Sequence, residues 1–429
     1  MSQTKTDKAW EILFERHKII QKVQQNGFFE IQAKEIKKVR EPRLMAKFDH
    51  FSHLPKLFKE NGLSILPVSR SSYIIGEFDV YEKVNYDRKI KPIRVDFPSD
   101  LITTIDPTNL YSESSALHCA HITGMMEIIS GEQTLQTISG RMSSKEFDFK
   151  ISTRMGTDRL ISIKNSQIEI DGGYESQNQF MIVEAKNETV DDFLVRQLYY
   201  PYRLWQSKTY KEVKPVFFTY SNDIFSFFIY EFVDPSRYNS LRLVEQKDFI
   251  ISHEEVELDD IIEVFHTVQS VAEPEIPFPQ ADSFTRVVDL LGLLVENDLS
   301  KEDITRNYAF DERQTAYYTR AGMYLGLMET YKDENRKVMF RLNRAGREIM
   351  KLKTKEKFLN LARTILSHEP FKQVLAVYFQ NGSPPQKHRV VEIMKSCNLY
   401  NVNKDSTYYR RASTVMGWIN WILDLPETY

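Results

Sequence analysis

Between residues 166 and 232 the chain carries four strongly apolar runs, SQIEIDGG, QFMIVEAK, KPVFFTYS and IFSFFIYEF, and EFDFKI precedes them. The central runs are apolar at almost every position, which in a strand means burial on both faces. One helical segment, TVDDFLVRQLYYPYRLWQ at 189–206, interrupts them. Strands buried on both sides and broken by a helix leave few solutions. The expected class is α/β (α+β), a mixed sheet flanked by helices.

The flanks divide the rest. Residues 1–100 mix KAWEILFERHKIIQKVQQ, with helical apolar spacing, and the strand-like YIIGEFDVYEKV (73–84) and KPIRVDF (91–97). SESSALHCAHITGMMEIIS (112–130) reads as a serine-capped helix opening the sheet region, 101–271. AEPEIPFPQADS (272–283) has three prolines and reads as a linker. Beyond it FTRVVDLLGLLVEN, SKEDITRNYAF and DERQTAYYTRAGMYLGL read as three helices, and METYKDENRKVMFRLNRAG as a hairpin turning at KDENRK. Helix, helix, helix, hairpin is the order of a winged helix, expected over 284–350. YYTRAGMYLGL (317–327) and YYRRASTVMGW (408–418) share Tyr-Tyr-x-Arg-Ala and a later glycine, so 351–429 is expected to be a second, winged-helix-like module.

A length of 429 residues calls for several cores. No apolar run is long enough to span a bilayer, and the polar start lacks a signal core. Two cysteines, Cys119 and Cys397, stand far apart, which excludes a disulfide framework and a zinc knuckle and fits a cytoplasmic location. The net charge of −3 names no partner, but from residue 351 onward twelve Lys and Arg face six Asp and Glu. That local excess suits a polyanion or a solvated helical surface.

The chemistry lies where two apolar strands end. In QIEIDGG, alternation points Ile168 and Ile170 one way and Glu169 and Asp171 the other, with Gly172 and Gly173 expected to end the strand in a turn. In FMIVEAK, Glu184 and Lys186 share a face. Pairing the two strands sets Asp171 toward Glu184, with Lys186 beside them. Two carboxylates at one point repel unless a hard cation lies between them, and Mg²⁺ takes oxygen ligands and completes its shell with water and phosphate. A neighbouring lysine can orient or deprotonate an attacking water and stabilise charge developing on phosphorus. The same residues on an exposed strand edge would be a surface ion pair of little energetic consequence.

Asp171, Glu184-x-Lys186 resembles the catalytic pattern of the PD-(D/E)XK nuclease superfamily, with Ile170 where that family usually has proline. The resemblance implies a Mg²⁺ cofactor held by Asp171 and Glu184 and a catalytic Lys186. It also implies an acid from the first core helix, for which Glu113 is the candidate. A polar residue on the helix after the lysine strand is expected too, and Gln197 fits, although position 201 is Pro and the nearest tyrosine is Tyr202. SILPVSRSSYIIGEF, FDERQTAYYTRAGMYLGL and the order of parts look like a group of bacterial type II restriction endonucleases. That likeness implies site-specific hydrolysis of double-stranded DNA in host defence, a homodimer on DNA and a companion DNA methyltransferase.

A winged helix reads DNA through its third helix, expected here from Asp311. Arg313, Gln314, Tyr317 and Arg320 could form its polar face, and Thr407, Tyr408, Arg410 and Arg411 occupy the comparable region of the second copy. The tyrosines could equally be core aromatics. Lys337, with Arg336 and Arg341, would contact phosphate from the wing. The basic KEIKKVREPR near the N-terminus could track phosphates or be solvated, so residues 1–100 are a candidate DNA-recognition region. No phosphate-binding loop of the GxxxxGK[ST] type, dinucleotide fingerprint or HExxH occurs, so no nucleotide is expected. Two other readings stay open: a non-catalytic winged-helix regulator with a nuclease-like sheet, and a modification-dependent or repair nuclease.

Overall fold

The computed structural model describes residues 4–110, 112–154, 156–252, 254–307 and 312–429. Asp311 and the end of SKEDITRNYAF lie outside the described residues. The molecule is a mixed α/β protein with several sheets.

Helices α1 (Lys5–His17) and α2 (Ile19–Asn26) open the chain. The sequence suggested one helix, but Lys18 adopts φ 52° and breaks it. Strand β1 (Phe28–Gln32), short helices α3 (Ala33–Lys37), α4 (Pro42–Ala46) and α5 (Lys56–Glu60), and strands β2 (Ser64–Pro67) and β3 (Ser72–Gly76) follow. They enclose a core of Trp10, Leu13, Phe14, Phe58 and Ile75, with the sheet ordered β1-β3-β2. YIIGEFDVYEKV is not one strand. Beyond Gly76 the chain leaves that sheet, and β4 (Tyr81–Lys83) pairs instead with β11 (Asp192–Leu194).

The next region contains β5 (Ile93–Arg94), α6 (Glu113–Ile122), α7 (Met125–Ser130), β6 (Leu135–Ser143), β7 (Glu146–Ser152), β8 (Asp158–Lys164), β9 (Gln167–Glu175) and β10 (Gln179–Lys186). After β11 come α8 (Arg196–Gln206), β12 (Glu212–Ser221), β13 (Ile224–Phe232), β14 (Leu241–Ile250) and α9 (Leu258–Thr267). Seven strands form one mixed sheet, β5-β14-β13-β12-β10-β9-β6, with β10 and β12 parallel and joined through α8. Strands β7 and β8 pair only with each other in a separate sheet. The β10 side chains alternate between two cores: Phe180 and Ile182 pack beneath α8, and Met181, Val183 and Ala185 pack with Ala116, Leu117 and Met125 of α6 and α7. Two expectations change here. Gly124, at φ 77°, splits 112–130 into α6 and α7, and the front of 189–206 is strand β11, not helix.

The C-terminal part runs α10 (Phe284–Glu296), β15 (Leu299–Ser300), α11 (Lys301–Asn307), α12 (Glu312–Tyr324), β16 (Met328–Lys332), β17 (Val338–Leu342) and α13 (Arg344–Met350). The short β15 joins the hairpin in a three-stranded sheet, β15-β17-β16. Helices α14 (Thr354–Leu366), α15 (Glu369–Asn381), α16 (Lys387–Ser396) and α17 (Asp405–Thr428) follow, with no strand among the described residues of 351–429. One apolar core runs through all of these elements and takes in Phe284, Leu291, Tyr324, Phe371 and Trp418. This part is joined to the large sheet by apolar contacts, since Ile250 of β14 lies in the same core and Ile224 of β13 packs against it, and by polar ones. Asp289 of α10 accepts from Thr189 N (3.0 Å) and Ser221 Oγ (2.7 Å), and Lys357 pairs with Asp223 at 2.7 Å.

Candidate active site

The site forms where β9 and β10 part. Their ladder runs from Phe180–Glu175 to Val183–Gly172 and stops. The next β10 amide facing β9, Ala185 N, donates instead to Asp171 Oδ2 at 2.8 Å. A carboxylate thus replaces the missing backbone acceptor, which fixes the Asp171 side chain at the opening.

Strict alternation does not hold through β9. Ile168 and Ile170 enter the core beneath α8, yet Tyr174 enters the opposite core. The odd residue comes from a bulge against β6: Ile138 opposes Gly173 and Gly140 opposes Ile170, so two steps on β6 match three on β9. A bulge re-aims side chains and loosens pairing, and here it falls at Asp171 and Gly172. Gly172 and Gly173 therefore do not end the strand, which continues to Glu175. A Cβ on Gly172 would lie 2.7 Å from the Tyr174 ring, and one on Gly173 would lie 3.1 Å from the Phe180 ring. Close packing, not a turn, demands these glycines.

On β10, Glu184 and Lys186 are both buried, at 6% and 9% exposure, and Lys186 Nζ lies 2.5 Å from Glu184 Oε1. Lys186 also donates to Ala185 O at 2.9 Å. Gln197, in the first turn of α8, donates Nε2 to the same Glu184 oxygen. Glu113 is the first residue of α6, where Ser112 and Ser115 form a reciprocal cap, and its charge acts on both Glu184 and Lys186. The five residues expected at the site are therefore brought together.

Asp49 was not foreseen. The segment 48–51 is tied to the β4–β11 pair: Tyr81 Oη donates to Phe48 O (2.8 Å), Phe51 N to Asp192 Oδ1 (3.1 Å), and His50 Nδ1 lies 2.6 Å from Asp192 O. This delivers Asp49 to the neighbourhood of Lys186 and Arg196. Its Oδ1 is buried without a hydrogen-bond partner, while Lys47 pairs with Oδ2 at 3.3 Å. Nothing in AKFDHF distinguishes this aspartate; only the tertiary fold brings it near β10. Glu188, two residues beyond Lys186, is also buried there and feels the charges of Asp289 and Arg286.

The electrostatics follow from this crowding. Burial, and then the charge of Asp171, push the Glu184 carboxyl up to about 8, against the opposing pull of Lys186. Burial disfavours the Lys186 ammonium, but Glu184, Glu113 and Asp171 outweigh it and hold the lysine above its ordinary value. As an ammonium, Lys186 is a hydrogen-bond donor to Glu184 and to Ala185 O and a positive charge among carboxylates.

The donor set fits Mg²⁺. Asp171 commits Oδ2 and Glu184 commits Oε1 to the scaffold, and among the described residues Asp171 Oδ1 and Glu184 Oε2 have no hydrogen bond. Among the described residues no three carboxylate, imidazole or thiol groups converge to hold an ion by themselves. A magnesium ion held by two carboxylates and finished with water and phosphate needs no third.

The residues expected to touch DNA fare unequally. Lys337 lies 3.5 Å from Glu302 and 3.7 Å from Asp303, and Arg341 pairs with Glu329 at 2.6 Å, so both are already neutralised; Arg336 is exposed in the turn. Arg313 and Arg320 are exposed on α12, and Gln314 and Tyr317 are half-buried. On α17 Arg410 is exposed, Thr407 and Arg411 are half-buried, and Tyr408 packs against the C-terminal core.

Three family models match the chain, each described as a domain of unknown function: DUF6996 over residues 7–75, DUF6997 over 76–250 and DUF7226 over 286–427. The candidate site takes Asp49 from the first of these ranges and its other residues from the second. No curated protein and no solved structure matches the chain. No helix among the described residues is long and apolar enough to cross a membrane.

Proposed function

We propose that this protein is a Mg²⁺-dependent endonuclease that hydrolyses phosphodiester bonds of double-stranded DNA at specific sites, a type II restriction enzyme with a PD-(D/E)XK-like core. One observation carries the reading: Asp171, Glu184 and Lys186, with Gln197 behind them, meet at the opening between two core strands. A surface ion pair would not be buried to this degree, and a buried one is weak support for stability alone.

Magnesium supplies, when bound, Lewis-acid charge on the phosphate and on a water. Asp171 and Glu184 would hold it. Gln197 and the Ala185 amide keep these carboxylates in place. Lys186, as an ammonium, orients the attacking water and neutralises charge growing on the phosphate oxygens.

Duplex binding falls to the C-terminal part. The order α10, β15, α11, α12, β16, β17 supports a winged-helix reading of 284–350, with α12 as the third helix. Residues 351–429 lack strands among those described, which favours a helical module there. Cutting both strands calls for two copies of the site, hence a homodimer on DNA, and host protection calls for a companion methyltransferase.

The test is incubation with plasmid in Mg²⁺ and in EDTA. Discrete fragments in Mg²⁺ alone are expected. Tight duplex binding without cleavage in any divalent metal would return the protein to the class of non-catalytic DNA-binding regulators, and cleavage only of methylated plasmid would make it modification-dependent.

A further inference from the structure

The two echoing segments meet. Arg320 and Arg411 hold the same place in Tyr-Tyr-x-Arg-Ala, and Arg410 precedes the second. Helices α12 and α17 both pack on the end of the linker. Tyr318 hydrogen-bonds the Ser283 backbone, Thr414 Oγ1 donates to Asp282 Oδ1 (2.7 Å), and Trp418 Nε1 donates to Ala281 O (2.7 Å). Ala321 and Ala412, the residues after the two equivalent arginines, are buried in one core.

This brings three guanidinium groups into one another's field, and the acid that acts on Arg411 is Asp282. Several other cations of the region have a carboxylate: Arg306 has Asp303, Arg344 has Glu348, Arg389 has Glu392 and Lys395 has Asp405. Arg320, Arg410 and Arg411 have none within ion-pair distance among the described residues. Asp282, the acid that acts on Arg411, is engaged by Thr414. The Arg411 Nε is buried and has no hydrogen-bond partner. Burial, then the charge of Arg410, hold the Arg411 guanidinium below its ordinary value, and Arg320 adds to this. A half-buried arginine facing like charges, with an unpartnered donor, is costly unless an anion completes it.

We propose that Arg320, Arg410 and Arg411 form one phosphate-binding site in which α12 and α17 grip a single phosphate group together. It deepens the duplex-binding half of the proposed function and rests on that reading for its preferred ligand, a backbone phosphate; a free phosphate would present the same oxygens. The two copies then act as one clamp, not as two independent reading helices.

The experiment uses the full chain in EDTA. A labelled duplex is titrated by fluorescence anisotropy at several salt concentrations, and thermal melts are run in chloride and in inorganic phosphate at matched ionic strength. The proteins are wild type, Arg411→Gln, Arg410→Gln, Arg320→Gln and, as a charge control, Arg344→Gln. Each site variant is expected to weaken duplex binding about tenfold. Each should also lower the slope of log affinity against log salt by about 1, with the control unchanged. Arg411→Gln should melt no lower than wild type in chloride, because like-charge repulsion is relieved, and should lose the extra stability that phosphate gives. Loss of the phosphate effect with unchanged duplex affinity assigns the site to free phosphate. A lower melting point with unchanged duplex affinity and unchanged phosphate response makes Arg411 a structural arginine and overturns the proposal. Plasmid cutting in Mg²⁺ by the same proteins separates the two ideas: a wild type that cuts while the variants bind normally sinks only the anion site. A wild type that never cuts, with the variants binding weakly, sinks only the nuclease reading.

Discussion

Two clusters in this molecule crowd like charges, and they have opposite sign. At the opening between β9 and β10, Asp49, Glu113, Asp171 and Glu184 crowd one ammonium, Lys186. At the junction of α12 and α17, Arg320, Arg410 and Arg411 meet without an ion-pair partner among the described residues. Buried cations elsewhere are paired, as at Lys357–Asp223 and Arg286–Asp191. The difference in burial is instructive. The acidic site lies within the sheet, where desolvation makes a missing counter-ion expensive and a small cation the natural remedy. The basic site lies near the surface, where a larger anion can approach. Magnesium and a phosphate backbone are the two ions a DNA-cutting enzyme brings together.

The comparison breaks most easily at the acidic end. Asp171→Ala, Glu184→Ala and Lys186→Ala are each expected to lower plasmid cutting by about 10³-fold or more, in line with the loss of a transition-state electrostatic group. Duplex binding in EDTA should stay within a few-fold of wild type, because binding is assigned to the other end. Glu184→Ala leaves Lys186 buried without its closest partner, so its melting point must be recorded alongside. A Glu184→Ala protein that melts normally and cuts near the wild-type rate would mean the metal is held elsewhere.

Next in size is the metal's effect on stability. Mg²⁺ at a hundredfold above its dissociation constant should stabilise the wild type by roughly 2.7 kcal/mol, read as an upward shift in melting temperature. Asp171→Asn should abolish the shift. Burial and the charge of Asp171 push the Glu184 carboxyl up, so binding, which takes its ionised form, should release protons. Calorimetry in buffers of different ionisation enthalpy measures the release. Heats independent of buffer would place the bound ion away from Glu184.

How much of this could be read from the sequence differs between the two ends. The acidic triplet was legible because strand period and apolar burial are local properties: QFMIVEAK announces Glu184 and Lys186 on one face. The bulge at Asp171 was not, since it depends on the register with β6, a partner some thirty residues away. Gly172 and Gly173 looked like a turn because glycine signals both turns and close packing, and only the rings of Tyr174 and Phe180 decide between them. Asp49 was invisible because its place depends on contacts with β11, about 140 residues distant. At the basic end the echo was legible but its meaning was not. Arg320 and Arg411 were read as belonging to two separate helices, and their meeting is set by how both pack on residues 281–283.

The equivalent glycines of the echo sharpen this. Gly326 adopts φ 66° beyond the end of α12, whereas Gly417 lies inside α17 and a Cβ there would come 2.2 Å from Asp282 O. Gly417→Ala must push α17 off the linker and is expected to cost about 1–3 kcal/mol by overpacking. Because Arg411 rides on the same helix, duplex affinity should fall with it while Mg²⁺ binding by the acidic site is unchanged. A stability loss with full duplex affinity would show that the arginine cluster does not depend on this close approach.

The smallest effect is expected at Asp49, and it tests whether the acidic site needs the N-terminal part at all. Asp49→Asn keeps the shape and removes one charge from the crowd around Lys186. Asp49 is not a partner of Asp171 or Glu184 by hydrogen bond, and its ion pair is with Lys47. It acts on the site through charge alone, so a change of about tenfold in cutting, near 1.4 kcal/mol, is the expected ceiling. Folding should be unharmed or slightly improved, since its Oδ1 has no hydrogen bond to lose. If Asp49 instead helps hold the ion, the Mg²⁺ concentration for half-maximal cutting will rise while the rate at saturating metal recovers. If it only tunes Lys186, the saturated rate will fall and the metal dependence will not move. An unaltered rate and metal dependence would confine the acidic site to the sheet and α6, and the opposing charges of the two ends would then belong to the central and C-terminal parts alone.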